Sequence, residues 1–262
     1  MESIVLYCKS YRNDVDRVVL LFESIQMYNM DSIPFYISVP SRDINLFREK
    51  LGTEGYKLIA DEEIDREENG WKGQQIVKAQ FWKLGLTLNY LCLDSDSQFI
   101  KPFYRSDFLV DKEIPYTVCH EQKDLFEWSQ KNLPFDPQAS FQVDRQKVMS
   151  LFGREGRYYD FGPSPVIWNS KVWEGLERDY IKPNNLTFSD IIQYSPSEFS
   201  WYGEYLLYSK LFPIYPAQPL FKVFHYAEQY VQSKQLNYTV EELSRNYLGI
   251  ILQSNCGAPV KY

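Results

Sequence analysis

Short apolar runs and helix-spaced apolar positions alternate along the first 93 residues. Residues 4–8 form an uninterrupted apolar run, which is typical of a buried strand. Further on, apolar side chains recur three and four positions apart, which is the spacing of one helix face. They are Val15, Val18, Val19, Phe22 and Ile25. The two patterns predict a strand followed by a helix.

The same alternation continues to residue 93. The predicted elements that follow are strands at residues 34–39, 56–60 and 90–93, and helices within residues 40–50 and 74–88. Asn13 or Asp14 is the expected cap of the first helix, and Ser41 that of the second. The acidic residues 61–70 are expected to form a solvated loop. This β-α-β-α-β-α-β order predicts an α/β fold with a mostly parallel sheet and helices on both faces.

The second half of the chain has a less regular pattern. The predicted elements are strands at residues 116–119, 163–169 and 220–226, and one or two helices at residues 197–212. Because there is no internal repeat or low-complexity linker, we expect one domain that spans residues 1–262. No apolar stretch approaches 18 residues and the chain enters a strand at once, so neither a transmembrane helix nor a signal peptide is expected. The expected setting is a reduced cytoplasm.

Composition and charge narrow the class of ligand. The chain has 262 residues, of which 44% are apolar, so it is long enough to bury a sizeable core. The 21 Tyr, 17 Phe and 6 Trp are expected mainly in packing, and some in a pocket for a flat base or a sugar ring. The net charge of −7 and the lack of a basic run argue against nucleic acid as a partner.

The cysteines are far apart in the sequence. Cys8, Cys92, Cys119 and Cys256 include no CxxC pair, so a cysteine zinc site is not expected. Cys8 and Cys92 lie in apolar strand-like runs and are predicted to be small buried residues.

Two carboxylates follow the fourth predicted strand directly. Asp94 and Asp96 come after the apolar residues 90–93 and before another largely apolar segment. Like charges fixed together in a partly buried place are unfavourable unless a cation joins them. An oxygen-rich site of this kind suits Mg²⁺ or Mn²⁺, and such a cation can hold a diphosphate. A plain turn after a strand is the alternative interpretation, since Asp is common in turns.

An α/β segment that ends in Asp-Ser-Asp resembles the GT-A class of glycosyltransferases, which use nucleotide sugars. The stretches GWKGQQIVKAQFW and LDSDSQFIKPF resemble bacterial GT-A-like proteins, several of which are linked to surface polysaccharide synthesis. The likeness is strongest over residues 1–105 and continues more weakly through FGPSPVIWN, WYGEYLLYSKL and VFHY. It implies a metal-dependent, hexosyltransferase-like enzyme with a GT-A-like, Rossmann-like fold.

The resemblance also implies different roles for the two halves of the chain. Residues 1–105 would form the nucleotide-binding half, and residues 106–262 the acceptor-binding half. The donor would be a nucleotide sugar, with a UDP-sugar expected first. The acceptor would be a glycan or a lipid-linked glycan, met in the cytoplasm or at the inner face of the membrane.

The resemblance also implies which residues contact the metal and the nucleotide. Asp94, Asp96 and His225 would hold the metal, which a histidine ligand would make Mn²⁺ rather than Mg²⁺. The remaining residues implied to contact the nucleotide, besides Asp94, are Ser10, Tyr11, Arg12, Gln74, Lys78 and Ser95. For each of these the plain alternative is a loop or surface position, and for His225 it is a packed histidine.

An inverting transferase needs a base for the acceptor hydroxyl. The resemblance places Glu204, in SWYGEYLLYSKL, in that role, with Asp160 and Glu198 in reserve. Tyr205 departs from the pattern, because a second acid often follows at that place. A plain acidic residue in the first helical turn is the alternative interpretation of Glu204.

Other functions fit the sequence less well. A phosphatase with a similar Asp-x-Asp motif usually has Thr or Val where Gln98 stands, and a sugar nucleotidyltransferase has a glycine-rich first loop. The G-x-S-x-G of a serine hydrolase is absent. The main rival is a non-catalytic protein of the same fold that binds carbohydrate or nucleotide.

Overall fold

The computed structural model describes residues 2–65, 70–163, 165–254, 257 and 262. Cys256 and residues 66–69 of the predicted acidic loop lie outside the described residues, as does Ser164 in the predicted strand 163–169. The strands are β1 Glu2–Lys9, β2 Phe35–Val39, β3 Lys57–Ala60, β4 Thr87–Leu93, β5 Ser97–Phe99, β6 Tyr116–Val118, β7 Val166–Asn169, β8 Tyr215–Ala217, β9 Phe221–Phe224 and β10 Gly249–Leu252.

Helices separate most of these strands. They are α1 Val15–Tyr28, α2 Ile44–Leu51, α3 Asp61–Ile64, α4 Trp71–Gln80, α5 Lys123–Asn132, α6 Pro137–Leu151, α7 Ser170–Leu176, α8 Phe188–Tyr194, α9 Glu198–Ser209, α10 Ala227–Gln235 and α11 Val240–Ser244. No helix in the described parts of the chain combines the length and the hydropathy needed to cross a membrane.

The main sheet has the strand order β3-β2-β1-β4-β7. The first four strands are parallel to their neighbours, and β7 runs antiparallel to β4. A second sheet has the order β5-β10-β9, and β6 pairs with β8. The α/β class is therefore confirmed, and the main sheet is mixed, because the antiparallel edge strand β7 joins four parallel strands.

Helices cover both faces of the main sheet, because successive side chains of a strand point to opposite faces. Along β1, Val5 and Tyr7 pack in a core with side chains of α4, α7, α8 and α9. Ile4, Leu6 and Cys8 pack in a second core with α1 and α2. Each inner strand is thus buried on both faces, which explains the continuous apolar runs in the sequence.

Some element boundaries in the structure differ from the predicted ones. Helix α4 ends at Gln80 and a 3₁₀ turn follows, so the helix predicted to residue 88 is too long. Gly85 has a φ of 63° and ends that turn, as glycine often does after a helix. The acidic segment is not wholly a loop, because Asp61–Ile64 forms helix α3.

The predicted caps have other partners. Helix α2 follows Asp43, and the Ser41 hydroxyl instead donates a hydrogen bond to Glu62, at 2.7 Å. Asp14 precedes α1 but makes no side-chain capping bond. Neither side chain caps a helix, and the Ser41 hydroxyl instead joins the turn after β2 to helix α3.

Candidate active site

A cavity of about 750 Å³ opens where the four parallel strands end. Each of these strands contributes to it: Lys9 is the last residue of β1, and Pro40, Asp61 and Asp94 directly follow β2, β3 and β4. Ligands of α/β proteins bind at this edge of the sheet, in pockets of this size. We call it the first cavity.

Asp94, Ser95 and Asp96 form the tight turn between β4 and β5. The Asp96 Oδ1 atom is buried and has no hydrogen-bond partner among the described residues, while Oδ2 accepts a hydrogen bond from the Ser254 N–H at 3.0 Å. Burial, and then the charge of Asp94, raise the pKa of Asp96 to about 7. Two ionised carboxylates are therefore unfavourable here unless a cation joins them.

Lys78 of α4 lies between two carboxylates. Its Nζ is 3.1 Å from Asp94 Oδ1 and 2.8 Å from Glu198 Oε1, the latter an ion pair without good hydrogen-bond geometry. Lys78 and Glu198 are buried, whereas the Asp94 side chain is 39% exposed to the cavity. Burial alone would lower the pKa of Lys78, but the two carboxylates raise it well above its ordinary value, so the side chain stays charged.

The loop after β1 reaches the rim of the first cavity. Tyr11 and Arg12, two of the residues that the resemblance implies for the nucleotide, line it. Arg12 is held in place by Asp43, which accepts a hydrogen bond from its N–H at 3.0 Å and lies 3.2 Å from its Nε. Ser10 is buried at the end of the strand and is not among the lining residues.

The remaining predicted nucleotide contacts also line the first cavity. Gln74 projects from α4, and Ser95 from the turn between the two aspartates. The Ser95 hydroxyl donates a hydrogen bond to Asp14 Oδ2 at 3.2 Å, which explains why Asp14 does not cap α1. Burial raises the pKa of Asp14.

The charge of the lining bears on which ligand fits. Six acidic and four basic side chains line the described part of the first cavity, so the formal negative charge is in excess by two when every carboxylate is ionised. A diphosphate would meet net repulsion there without a cation. The orphaned Asp96 oxygen and this acidic excess both fit a divalent ion held by Asp94 and Asp96.

Within the described ranges, no further candidate ligand side chain joins Asp94 and Asp96. Among the described residues, no group of three or more His, Cys, Asp or Glu side chains is arranged to hold a metal. A hard cation that keeps several waters and takes phosphate oxygens suits a site with two carboxylates.

His225 lies apart from the two aspartates. It lines another cavity, of about 630 Å³, which also contains His120 and Lys222 and which we call the second cavity. Burial lowers the pKa of His225 to about 4, so the ring is neutral at pH 7. The structure therefore does not bring His225 to the predicted metal ligands.

The carboxylates expected to act as base are buried in ion pairs. Arg154 donates hydrogen bonds to both Glu204 oxygens, at 2.5 and 2.6 Å, and Glu204 has no exposed surface. Asp160 pairs with Arg145 at 2.7 Å and accepts a hydrogen bond from Gln122 at 2.5 Å. Neither lines the first cavity. Of the three acids considered from the sequence, Glu198 alone does so.

Several lining residues were not predicted. Trp71, which is 59% exposed, begins α4 and lines the cavity, and Asp144 of α6 adds a carboxylate. Gln253 and Ser254 come from the segment after β10. Trp71 could have been predicted as a lining residue, because it is an aromatic residue at the start of a polar helix. No local signal marks the others, because tertiary packing brings them to the site.

Comparison with known families gives one match. The model of a family of unknown function, DUF6492, matches residues 3–244. A comparison with curated proteins found no match. The family model covers nearly all of the main sheet and the residues that build the first cavity except Gln253 and Ser254. The chain therefore belongs to DUF6492, a family of unknown function.

Proposed function

We propose that the chain is a metal-dependent glycosyltransferase of GT-A-like fold, which transfers a sugar from a nucleotide sugar, with a UDP-sugar as the first candidate, to a glycan hydroxyl. The observation that carries the proposal is the buried, unpartnered Asp96 oxygen beside Asp94, at the carboxyl end of a parallel strand. The β3-β2-β1-β4 order with an antiparallel strand beside β4 is compatible with this fold.

Asp94 and Asp96 would hold Mn²⁺ or Mg²⁺. When bound, such an ion supplies positive charge to the diphosphate that leaves the sugar. Lys78 adds a fixed positive charge beside Asp94, and Glu198 keeps its ammonium group in place at 2.8 Å. We therefore assign Glu198 a positioning role.

The rim residues suit the nucleoside. Tyr11 and Trp71 offer aromatic faces to a base, and the Arg12 guanidinium is fixed by Asp43. Glu204 and Asp160 take no part in this proposal, because their ion pairs close them off from the cavity.

A non-catalytic nucleotide-binding protein is the second candidate. The observation that favours it is the Lys78–Asp94 ion pair, which gives Asp94 a cationic partner without a metal. Such a protein would bind UDP equally well in the presence of a chelator and would release no nucleotide from a sugar nucleotide.

Calorimetry of UDP binding tests the proposal. Asp96→Asn keeps an acceptor for the Ser254 N–H but removes the charge that would bind a cation. We expect Asp96→Asn to bind UDP with Mn²⁺ at least about tenfold more weakly, as loss of a charged contact predicts. The matched control is Asp16→Asn, which alters an exposed carboxylate outside the cavity.

The outcomes separate the two candidates. Native UDP affinity in Asp96→Asn, or equal UDP affinity with Mn²⁺ and with a chelator, would overturn the metal-dependent proposal. A panel of nucleotide sugars, assayed for nucleotide release, then distinguishes an enzyme from a binding protein.

A further inference from the structure

The second cavity shares a wall with the first. Pro163 lines both of them, so a molecule in the second cavity would lie beside a ligand of the first. The second cavity is formed by the segment before and within α5, by β9, and by the residues on either side of β9. These elements belong to the half of the chain that does not carry the aspartate pair.

Lys222 is the unusual residue of this cavity. It lies on β9, in register with Ile250 of β10, and is partly buried. Its Nζ faces the Tyr247 ring, 5.9 Å from the centroid, and makes no ion pair or hydrogen bond within the described residues. Burial lowers the pKa of Lys222, and the Asp124 charge opposes this only in part. A partly desolvated ammonium without a close counter-ion favours an anionic ligand.

The walls around Lys222 combine flat faces with hydrogen-bonding groups. Trp128 stacks on Tyr226, with ring centroids 5.7 Å apart, and its Nε1 donates a hydrogen bond to Gln232 at 2.7 Å, so its position is fixed. Further polar and aromatic lining is supplied by His120, Gln122, Tyr159, Gln218, Gln229 and Tyr247. Rigid aromatic faces beside polar side chains suit a sugar ring.

We propose that the second cavity binds a sugar that carries a carboxylate or a phosphate group, with Lys222 contacting the anionic group. The assignment of this sugar as the acceptor rests on the proposed function, whereas the binding site itself does not. The acidic side chains Glu121 and Asp124 also line the cavity and suit the hydroxyl groups of the same sugar.

Ligand-observed NMR titration tests this site with three probes: glucuronate, glucose 6-phosphate and glucose. We expect at least one anionic probe to bind more tightly than glucose. Lys222→Met keeps most of the length of the side chain without its charge, and should weaken binding of that probe roughly tenfold or more. Lys222→Arg should retain binding. Lys112→Met is the matched control, since Lys112 is exposed and lines neither cavity.

Each outcome of the titration either supports or overturns the proposed sugar site. A preference for glucuronate identifies a sugar acid, and a preference for glucose 6-phosphate identifies a sugar phosphate. Glucose binding as tightly as both, no binding of either anionic probe, or unchanged binding in Lys222→Met overturns the inference. The comparison of probes on the native protein decides it even when Lys222→Met fails to fold.

The proposed function is tested separately in the same samples. If an anionic sugar binds in a Lys222-dependent way but UDP does not bind in a Mn²⁺-dependent way, the sugar site stands and the proposed glycosyltransferase function is wrong. If UDP binds in a Mn²⁺-dependent way but no sugar binds in a Lys222-dependent way, the proposed function stands and the sugar site is wrong.

Discussion

Glu198 and Glu204 both belong to helix α9, yet their surroundings give them different roles. Glu198 begins the helix at the cavity, where it contacts Lys78. Glu204 lies in the interior, where Arg154 engages both of its oxygens. A carboxylate without exposed surface and with both oxygens bonded is not available to a substrate, so Glu204 is expected to contribute to stability and not to ligand binding.

Substitution of Glu204 tests this distinction. Glu204→Gln leaves the Arg154 guanidinium without its counter-ion, and we expect the free energy of unfolding to fall by about 1–3 kcal/mol. Urea denaturation measures this loss. Affinity for UDP with Mn²⁺ should stay native in the folded variant.

A double-mutant cycle with Arg154→Met supplies the control. The combined variant should lose less free energy than the sum of the two single variants, because both remove the same ion pair. Weakened nucleotide binding with unchanged stability in Glu204→Gln would show that Glu204 contributes to the nucleotide site and not to stability.

At the residue scale, Asp94 and Asp96 stood out in the sequence because they directly follow an apolar strand. Lys78 was implied by the resemblance to GT-A proteins and not by a local pattern. The Arg154–Glu204 pair joins residues 50 positions apart, and nothing in the adjoining sequence marks it. The same holds for Ser254, whose N–H reaches Asp96 across 158 positions.

At the scale of elements, strand β10 completes the edge of the site. It pairs antiparallel with β5, directly after the Asp94–Asp96 turn, and parallel with β9. The Leu252 N–H also donates a hydrogen bond to the Asp96 carbonyl oxygen at 3.2 Å. The geometry of the aspartate turn therefore depends on the close packing of β5, β9 and β10.

Gly249 allows this packing. A Cβ atom there would overlap the Phe221 ring and the Gln98 carbonyl oxygen, and a backbone oxygen cannot move aside cheaply. We expect Gly249→Ala to lower stability by about 1–3 kcal/mol, as overpacking does, and to weaken binding of UDP with Mn²⁺.

Gly175→Ala is the matched control for that substitution. Its Cβ would lie 2.6 Å from the Tyr205 hydroxyl, in helix α7 and away from the cavity lining. It should lower stability without changing the nucleotide affinity of the folded protein. Equal nucleotide affinity in the two variants would show that the β5–β10 pairing does not shape the site.

The elements themselves were predictable to different degrees. Strands β1, β2 and β4 are buried on both faces and flanked by amphipathic helices, so apolar runs and helical periodicity marked them. The edge strand β3 is only partly buried, but its short apolar run marked it as well. Strands β5, β8 and β10 were not predicted: each has only three or four residues and pairs with partners distant in the sequence. The equally short strands β6 and β9 were predicted from their apolar runs. The antiparallel direction of β7 is likewise set by tertiary packing and not by its own residues.

At the scale of the whole molecule, the first cavity draws on both halves of the chain. Lys78, Asp94 and Asp96 come from the first 105 residues, while Glu198 and Ser254 come from the remainder. One ion pair and one hydrogen bond join the two halves: Lys78 pairs with Glu198, and the Ser254 N–H donates to Asp96. Binding in this cavity is therefore expected to stabilise both halves together.

Thermal unfolding tests this coupling and the single domain that the sequence predicts. A ligand that binds only the native state at a hundredfold excess over its dissociation constant adds about 2.7 kcal/mol of stability. For a chain of this length that corresponds to a rise of roughly 5–10 °C in Tm. We expect UDP with Mn²⁺ to shift one cooperative transition by this amount, and UDP with a chelator to shift it much less, because the cation offsets the acidic excess of the cavity.

Asp96→Asn serves as the control, and its transition should respond little to either mixture. Two separate transitions, of which UDP with Mn²⁺ moves one, would show that the halves unfold independently and that contacts such as Lys78–Glu198 do not couple them.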